Sequence, residues 1–122
     1  MIEEVDPQTG QSMVEGGATL LDVRHQDEWD AGHAPTAVLV PLDQLGDRYT
    51  ELPTDEPIVV ICRSGARSAR ATEALVSAGY NAVNLAGGMK AWVADGLPCH
   101  GCRRARLGRV APVAERSPSR FR

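Results

Sequence analysis

The sequence predicts an α/β domain built on a mainly parallel sheet. Three observations carry this expectation: short apolar runs rich in β-branched residues at 19–23, 37–40, 58–61 and 82–85, helical patterns between them, and Gly or Pro bounding the runs. Runs that are apolar at consecutive positions, instead of alternating, belong to strands buried on both faces, as in parallel sheets. Alternation of strand and helix then implies right-handed crossovers. Asp6-Pro7 pairs an N-cap with a first-turn proline and opens a weak first helix, which holds Gly10 and ends near Gly16-Gly17. After the 19–23 strand, Asp27-Glu28-Trp29-Asp30 predicts a short acidic turn stopped at Gly32, and residues 42–49 a second short helix before Pro53. The strongest helix runs from Ala66 to Ala78, with Ala69, Thr72, Leu75 and Val76 at helical spacing and Gly79 at its end. A last short helix begins near Gly88 and is closed by Gly96 and Pro98. No internal repeat is present.

The 122 residues suffice for one domain with its own core. Their formal net charge of −3 conceals an asymmetry: residues 100–122 hold seven arginines and one glutamate, net +6, so residues 1–99 carry net −9. An acidic body excludes a nucleic-acid-binding face, which needs basic charge to neutralise phosphates, and the plain reading of the basic run is a solvated tail. Residues 99–122, rich in Arg, Ala, Pro and Ser, are expected to lie outside the ordered fold. No apolar run approaches a membrane span, and MIEEVDPQTG carries no basic-then-apolar leader, so a cytoplasmic protein is expected, with no membrane partner. Three cysteines make no disulfide framework, and reduced thiols are expected.

Chemistry is concentrated after the third run. Ile58-Val59-Val60-Ile61-Cys62-Arg63-Ser64-Gly65-Ala66-Arg67-Ser68 reads as buried strand, tight loop and helix start. Sites in open parallel sheets form beyond the carboxyl ends of strands, where Cys62 lies. Amides of the loop and first helical turn, backed by the helix dipole, would face the sulfur and favour thiolate over thiol. Arg63 and Arg67 add positive charge, and Gly65 permits a turn that most residues resist. The plain alternative is a buried core cysteine. The polar, cationic, glycine-containing residues that follow decide against it.

Cys62-Arg63-Ser64-Gly65-Ala66-Arg67-Ser68 resembles the active-site loop of single-domain rhodaneses, sulfurtransferases that carry sulfane sulfur on a cysteine. Two flanking signatures share the resemblance: Leu20-Leu21-Asp22-Val23-Arg24 followed by Glu28-Trp29 and Gly32-His33-Ala34-Pro35, and Gly87-Gly88-Met89-Lys90-Ala91-Trp92 with Gly96-Leu97-Pro98. Together they imply a rhodanese-like domain over residues 1–98, with a sheet of about five strands and helices on both faces, followed by the basic tail at 99–122. The resemblance implies that Cys62 takes sulfur from a thiosulfate-like donor and passes it, as a persulfide, to cyanide or a thiol. Arg63, Ser64, Gly65, Ala66 and Arg67 would form the anion cradle, with Arg63 meeting the donor's sulfonate and Asp22, Arg24 and Ser68 in support. No metal or organic cofactor is implied. A sulfur-relay or protein-docking module with little small-donor activity is the alternative. Phosphatases and arsenate reductases that resemble rhodaneses in fold use a loop one residue longer; here Arg67 follows Cys62 by five positions, a fit for sulfur over phosphate.

Other candidates read more plainly. An Arg24–Glu28 ion pair is expected, and His33 is read as loop packing because a low-pKa thiolate needs no base. Ala34 and Thr36 depart from the family's usual Ile and Gly, which bears on loop packing and not on the chemistry. Trp29 and Trp92 read as packing residues. Cys99-His100-Gly101-Cys102 lacks a second ligand pair for zinc and the strand-to-helix setting of a redox motif, so it is expected to be inert, with a resolving dithiol as its functional alternative.

Overall fold

The computed structural model describes residues 2–102. A five-stranded, all-parallel sheet forms its centre, in the order β1-β5-β4-β2-β3. The strands are β1 (Glu4–Val5), β2 (Thr19–Asp22), β3 (Val38–Leu39), β4 (Ile58–Ile61) and β5 (Ala82–Leu85). Between them run α1 (Pro7–Glu15), α2 (Gln26–Asp30), α3 (Leu42–Arg48), α4 (Ala66–Ser77) and α5 (Gly88–Ala94), with a 3-10 turn at Tyr49–Glu51 after α3. The expected α/β class and strand–helix alternation are found.

Strand β4 lies at the sheet's centre, and all four of its residues are buried. Its alternating side chains feed two cores. Leu21, Val23, Ile58, Val60 and Cys62 face Leu45 of α3 and Ala71 and Leu75 of α4. Leu20, Val59 and Ile61 face Met13 of α1 and Met89 and Trp92 of α5. Fully burying such side chains contributes roughly 1.5–3 kcal/mol each, which fixes the frame on which the Cys62 loop is mounted.

Local signals act where the sequence placed them. The Asp6 carboxylate accepts a hydrogen bond from the Thr9 amide at 2.8 Å and caps α1. Gly79, at φ +95°, follows the end of α4. Three details differ from the expectation. Val38 is 46% exposed, because β3 is an edge strand and lacks a neighbour on one side. In α4 the buried line is Ser68, Ala71, Thr72 and Leu75, and Val76 is 45% exposed. The helix therefore turns a partly polar stripe towards the sheet, for a reason the site explains. Strand β1 has no apolar run to mark it; it forms because Glu4 and Val5 pair in register with Asn84 and Leu85.

Residues 99–102 depart from the expected tail: His100 bridges to His33, Cys99 and Cys102 pack against the α1/α5 core, and the two cysteines are paired as a disulfide instead of standing as reduced thiols. The basic residues 103–122 lie outside the described residues. No helix among the described residues is long and apolar enough to cross a membrane.

Candidate active site

Cys62 follows the last residue of β4, and the loop returns through Gly65 into α4. Gly65 caps that helix at φ +112°, a left-handed conformation that glycine adopts without penalty. The turn aims the Gly65 amide at the cysteine, donating to Sγ at 3.1 Å. From the first turn of α4 the Ser68 hydroxyl donates to the same sulfur at 3.3 Å. Ser68 is fully buried, which accounts for the polar stripe on α4. Burial pushes the Cys62 thiol up. Hydrogen bonds from the Ser68 hydroxyl and from the Ser68, Gly65 and Ser64 amides outweigh that penalty, and the thiol lies below its ordinary value.

The loop is braced from behind by β5 and α5. The Met89 amide donates to the Cys62 carbonyl at 2.7 Å and the Lys90 amide to the Arg63 carbonyl at 3.0 Å. This approach needs Gly88, where a Cβ would stand 2.5 Å from both carbonyl oxygens. The Asn84 side-chain amide donates to the Gly65 carbonyl at 3.3 Å and to the Glu4 carboxylate at 2.8 Å. The Gly65 peptide is thus held at its carbonyl while its N–H faces sulfur.

The charged residues around the loop are arranged differently from the expected pattern. Arg24 pairs with Asp22, not Glu28: its Nη2 lies 2.8 Å from Asp22 Oδ2, and both groups are buried. Its guanidinium also donates to the backbone carbonyls of Gly32, at 2.8 Å, and Glu28, at 3.3 Å. The physical reason is proximity. Asp22 ends β2 two residues before Arg24, and a planar fork folded back onto it satisfies both groups out of water. Glu28 is left to Arg67, which holds it through two hydrogen bonds of 2.7 and 2.8 Å. That pairing lowers the Glu28 carboxyl to about 2 against the pull of partial burial, and raises Arg67. Arg67 braces α4 to α2.

Arg63 is exposed and makes no salt bridge among the described residues. It lines a cavity of about 470 Å³ with Arg24, Glu28, Met89, Lys90 and Cys102. Lys90 is likewise exposed and free of a carboxylate partner there. The arrangement is that of a buried cysteine sulfur facing amide and hydroxyl donors, with a cavity nearby whose unpaired charges among the described residues are positive.

A family model for the Rhodanese-like domain matches residues 6–95. The chain belongs to the rhodanese-like family. It is 39% identical over 101 residues to a protein named Sulfurtransferase from Allochromatium vinosum, spanning 80% of this chain and 94% of that one. It is 35% identical over 113 residues to Thiosulfate sulfurtransferase 18 of Arabidopsis thaliana, covering 80% of this chain and 82% of that protein. A crystal structure of a rhodanese-related protein from Thermoplasma volcanium matches with a TM-score of 0.77 and 29% identity, over 81% of this chain and 98% of that one. Relatives bearing the sulfurtransferase name place this rhodanese-like domain among the rhodanese-type sulfurtransferases.

Within the rhodanese-like domain the structure brings Cys62, Gly65 and Ser68 together, while Ser64 and Ala66 are exposed. Asp22 and Arg24 stand on the adjoining strand end as a brace. His33 stacks on Trp29 with ring centroids 3.7 Å apart and its Nδ1 lies 3.0 Å from the Trp29 carbonyl oxygen, so both residues are occupied with packing. Ala34 is buried, so the smaller residue still fills a core position. Trp92 is buried with its indole N–H donating to the Pro98 carbonyl at 2.8 Å. Sequence reasoning gave no role to Asn84 or Lys90. A polar residue inside an apolar strand run was the available signal for the first, and a lone cation at the start of α5 for the second.

Proposed function

We propose that this domain is a thiosulfate-type sulfurtransferase in which Cys62 is both nucleophile and sulfur carrier. The observation that carries the reading is the convergence of the Gly65 amide and the Ser68 hydroxyl on Sγ at the end of the central strand. The Cys62 thiolate attacks the outer sulfur of thiosulfate; the sulfur–sulfur bond of the donor breaks and sulfite leaves with the bonding electron pair. Cys62 then holds a persulfide, whose terminal anion the amides from Arg63 to Arg67 stabilise as fixed dipoles. Cyanide removes the outer sulfur as thiocyanate, or a thiol takes it as a new persulfide, and the Cys62 thiolate returns. Exposed Arg63 meets the donor's sulfonate, while Arg67 and the Asp22–Arg24 pair keep the cradle's shape. A reducing, cytoplasmic setting suits a carrier that rests as a free thiolate.

Intact-mass measurement after thiosulfate treatment tests the reading. A gain of one sulfur, absent in Cys62→Ser, is expected; no gain with thiosulfate would refute small-donor chemistry. Steady-state turnover with thiosulfate and cyanide separates the enzyme from a relay domain, which would load from a protein persulfide and turn over thiosulfate poorly.

A further inference from the structure

The Cys99-His100-Gly101-Cys102 segment has no part in the reaction above, yet its last residue, Cys102, lines the cavity beside Arg63. His33 and His100 exchange two backbone hydrogen bonds, of 3.0 and 2.8 Å, and form an antiparallel bridge. The residue before the segment is held by the Trp92 indole. Both cysteines pack against the α1/α5 core, and their Cα atoms stand 5.6 Å apart, within the range a disulfide spans without backbone movement. Cys102 sits hard against Gly32: a Cβ there would meet Cys102 Sγ at 2.7 Å and its Cα at 2.9 Å. The Gly32 carbonyl is held in turn by Arg24, whose partner Asp22 ends the strand beside β4. Across the cavity lie Arg63, which follows Cys62, and Met89 and Lys90, whose amides hold the loop carbonyls. Cys102 therefore lines the same cavity as Arg63, the residue that follows Cys62.

We propose that reduced Cys99 and Cys102 are an internal acceptor that takes sulfane sulfur from Cys62 and releases it as hydrogen sulfide. The proposal rests on the persulfide reading and assigns the acceptor. The Cys102 thiolate attacks the outer sulfur of the Cys62 persulfide; the bond between that sulfur and Cys62 Sγ breaks, and its electron pair restores the Cys62 thiolate. Cys99, as thiolate, then attacks Cys102 Sγ. The outer sulfur leaves as hydrosulfide, which takes a proton, and the Cys99–Cys102 disulfide forms. The sulfane sulfur gains two electrons and the dithiol loses two, so the transfer balances internally. A dithiol reductant in solution, of the thioredoxin or dithiothreitol class, returns the pair for another cycle.

The experiment uses the full chain, reduced, freed of reductant and given thiosulfate, with sulfide release and intact mass followed over one turnover. Three forms are compared: reduced wild type, wild type kept in the disulfide form, and Cys99→Ser/Cys102→Ser. The oxidised wild type keeps the test valid even where the double variant folds poorly. Reduced wild type is expected to release about one sulfide per chain and lose two hydrogens in mass, at a rate unchanged by dilution. The other two forms are expected to hold the Cys62 adduct at least about tenfold longer. Equal adduct lifetimes in all three forms would overturn the internal acceptor and leave the persulfide reading standing, as would a release rate that falls with dilution. Absence of any sulfur gain at Cys62 in every form would overturn both.

Discussion

Removing the Ser68 hydroxyl is expected to raise the Cys62 thiol pKa by about one unit. Two donors reach Sγ, the Gly65 amide at 3.1 Å and the Ser68 hydroxyl at 3.3 Å, and burial works against both. A hydrogen bond to a charged group is worth roughly 1.5–3 kcal/mol. The Ser68 hydroxyl has one proton and a second acceptor in reach, the Gly65 carbonyl at 3.2 Å, so the lower end applies. About 1.5 kcal/mol corresponds to about one pKa unit. Ser68→Ala leaves the surrounding backbone satisfied, because the Gly65 carbonyl keeps the Ala69 amide and Asn84, and Thr72 bonds the Ser68 carbonyl and not its side chain. The assay is the pH profile of alkylation by iodoacetamide, read by intact mass. Run on the disulfide form, it reports Cys62 alone, since that is the one free cysteine of the three in the chain. Only thiolate reacts, so the rate rises with pH through the pKa and then levels off. In the variant the rising limb should move up by about one unit, slowing alkylation about tenfold well below the pKa and leaving the plateau unchanged. A shift under about 0.3 units, or a lower plateau without a shift, would refute the claim that this hydroxyl stabilises the thiolate.

Three further substitutions test the braces. Glu28 is lowered from an ordinary 4.5 to about 2 by Arg67, so its contribution to stability is full above the unfolded value and lost as pH falls towards 2. Glu28→Gln should lower unfolding free energy near neutrality by about 1–2 kcal/mol after solvent screening, and urea titrations at low pH should show that difference vanish. Asp22→Asn uncouples a buried pair and strands the Arg24 charge; a loss of about 3–5 kcal/mol in urea unfolding is expected, and one below about 1 would count against the brace. Gly88→Ala places a Cβ 2.5 Å from the carbonyl oxygens of Cys62 and Arg63 at a φ of +59°. Strain and displacement together should lower stability by about 2–4 kcal/mol, and an unchanged thermal midpoint would contradict the close approach.

The sheet and the position of the candidate cysteine at the end of its central strand were legible in the sequence because both rest on local signals. Four apolar β-branched runs mark four strands, and a cysteine followed by Arg-Ser-Gly marks a strand end that turns into a helix. What was not legible depends on residues far apart in the chain. Nothing near Glu4 marks a strand until Asn84 and Leu85 stand opposite it. Glu28 and Arg67 are 39 positions apart, and spacing favoured the nearer Arg24, which a still nearer carboxylate takes. Polar residues in apolar patterns proved the better guide to the site: buried Ser68 and Asn84 each disturb a run of core positions, and both hold the Cys62–Gly65 turn. The Cys99–Cys102 segment looked like the start of a tail because its ordering comes from Gly32, His33 and Trp92, none of which it adjoins in sequence.

The allocation of charge separates the chemistry of the site from its choice of substrate. Residues 1–99 carry net −9, and of the arginines nearest the thiol, Arg24 and Arg67 are neutralised by Asp22 and Glu28. The field on sulfur therefore comes chiefly from backbone amides fixed by Gly65 and the start of α4, which need no reorganisation when charge arrives. On the thiosulfate-type reading proposed above, attraction for the anionic donor falls to Arg63 and Lys90, both exposed at the cavity and both on flexible side chains. A change at either should alter which donor loads the cysteine while leaving the thiolate's pKa in place. A change at Gly65, Ser68 or Asn84 should do the reverse, which makes the exposed pair, not the cradle, the place where one rhodanese-like domain can come to differ from another in its donor.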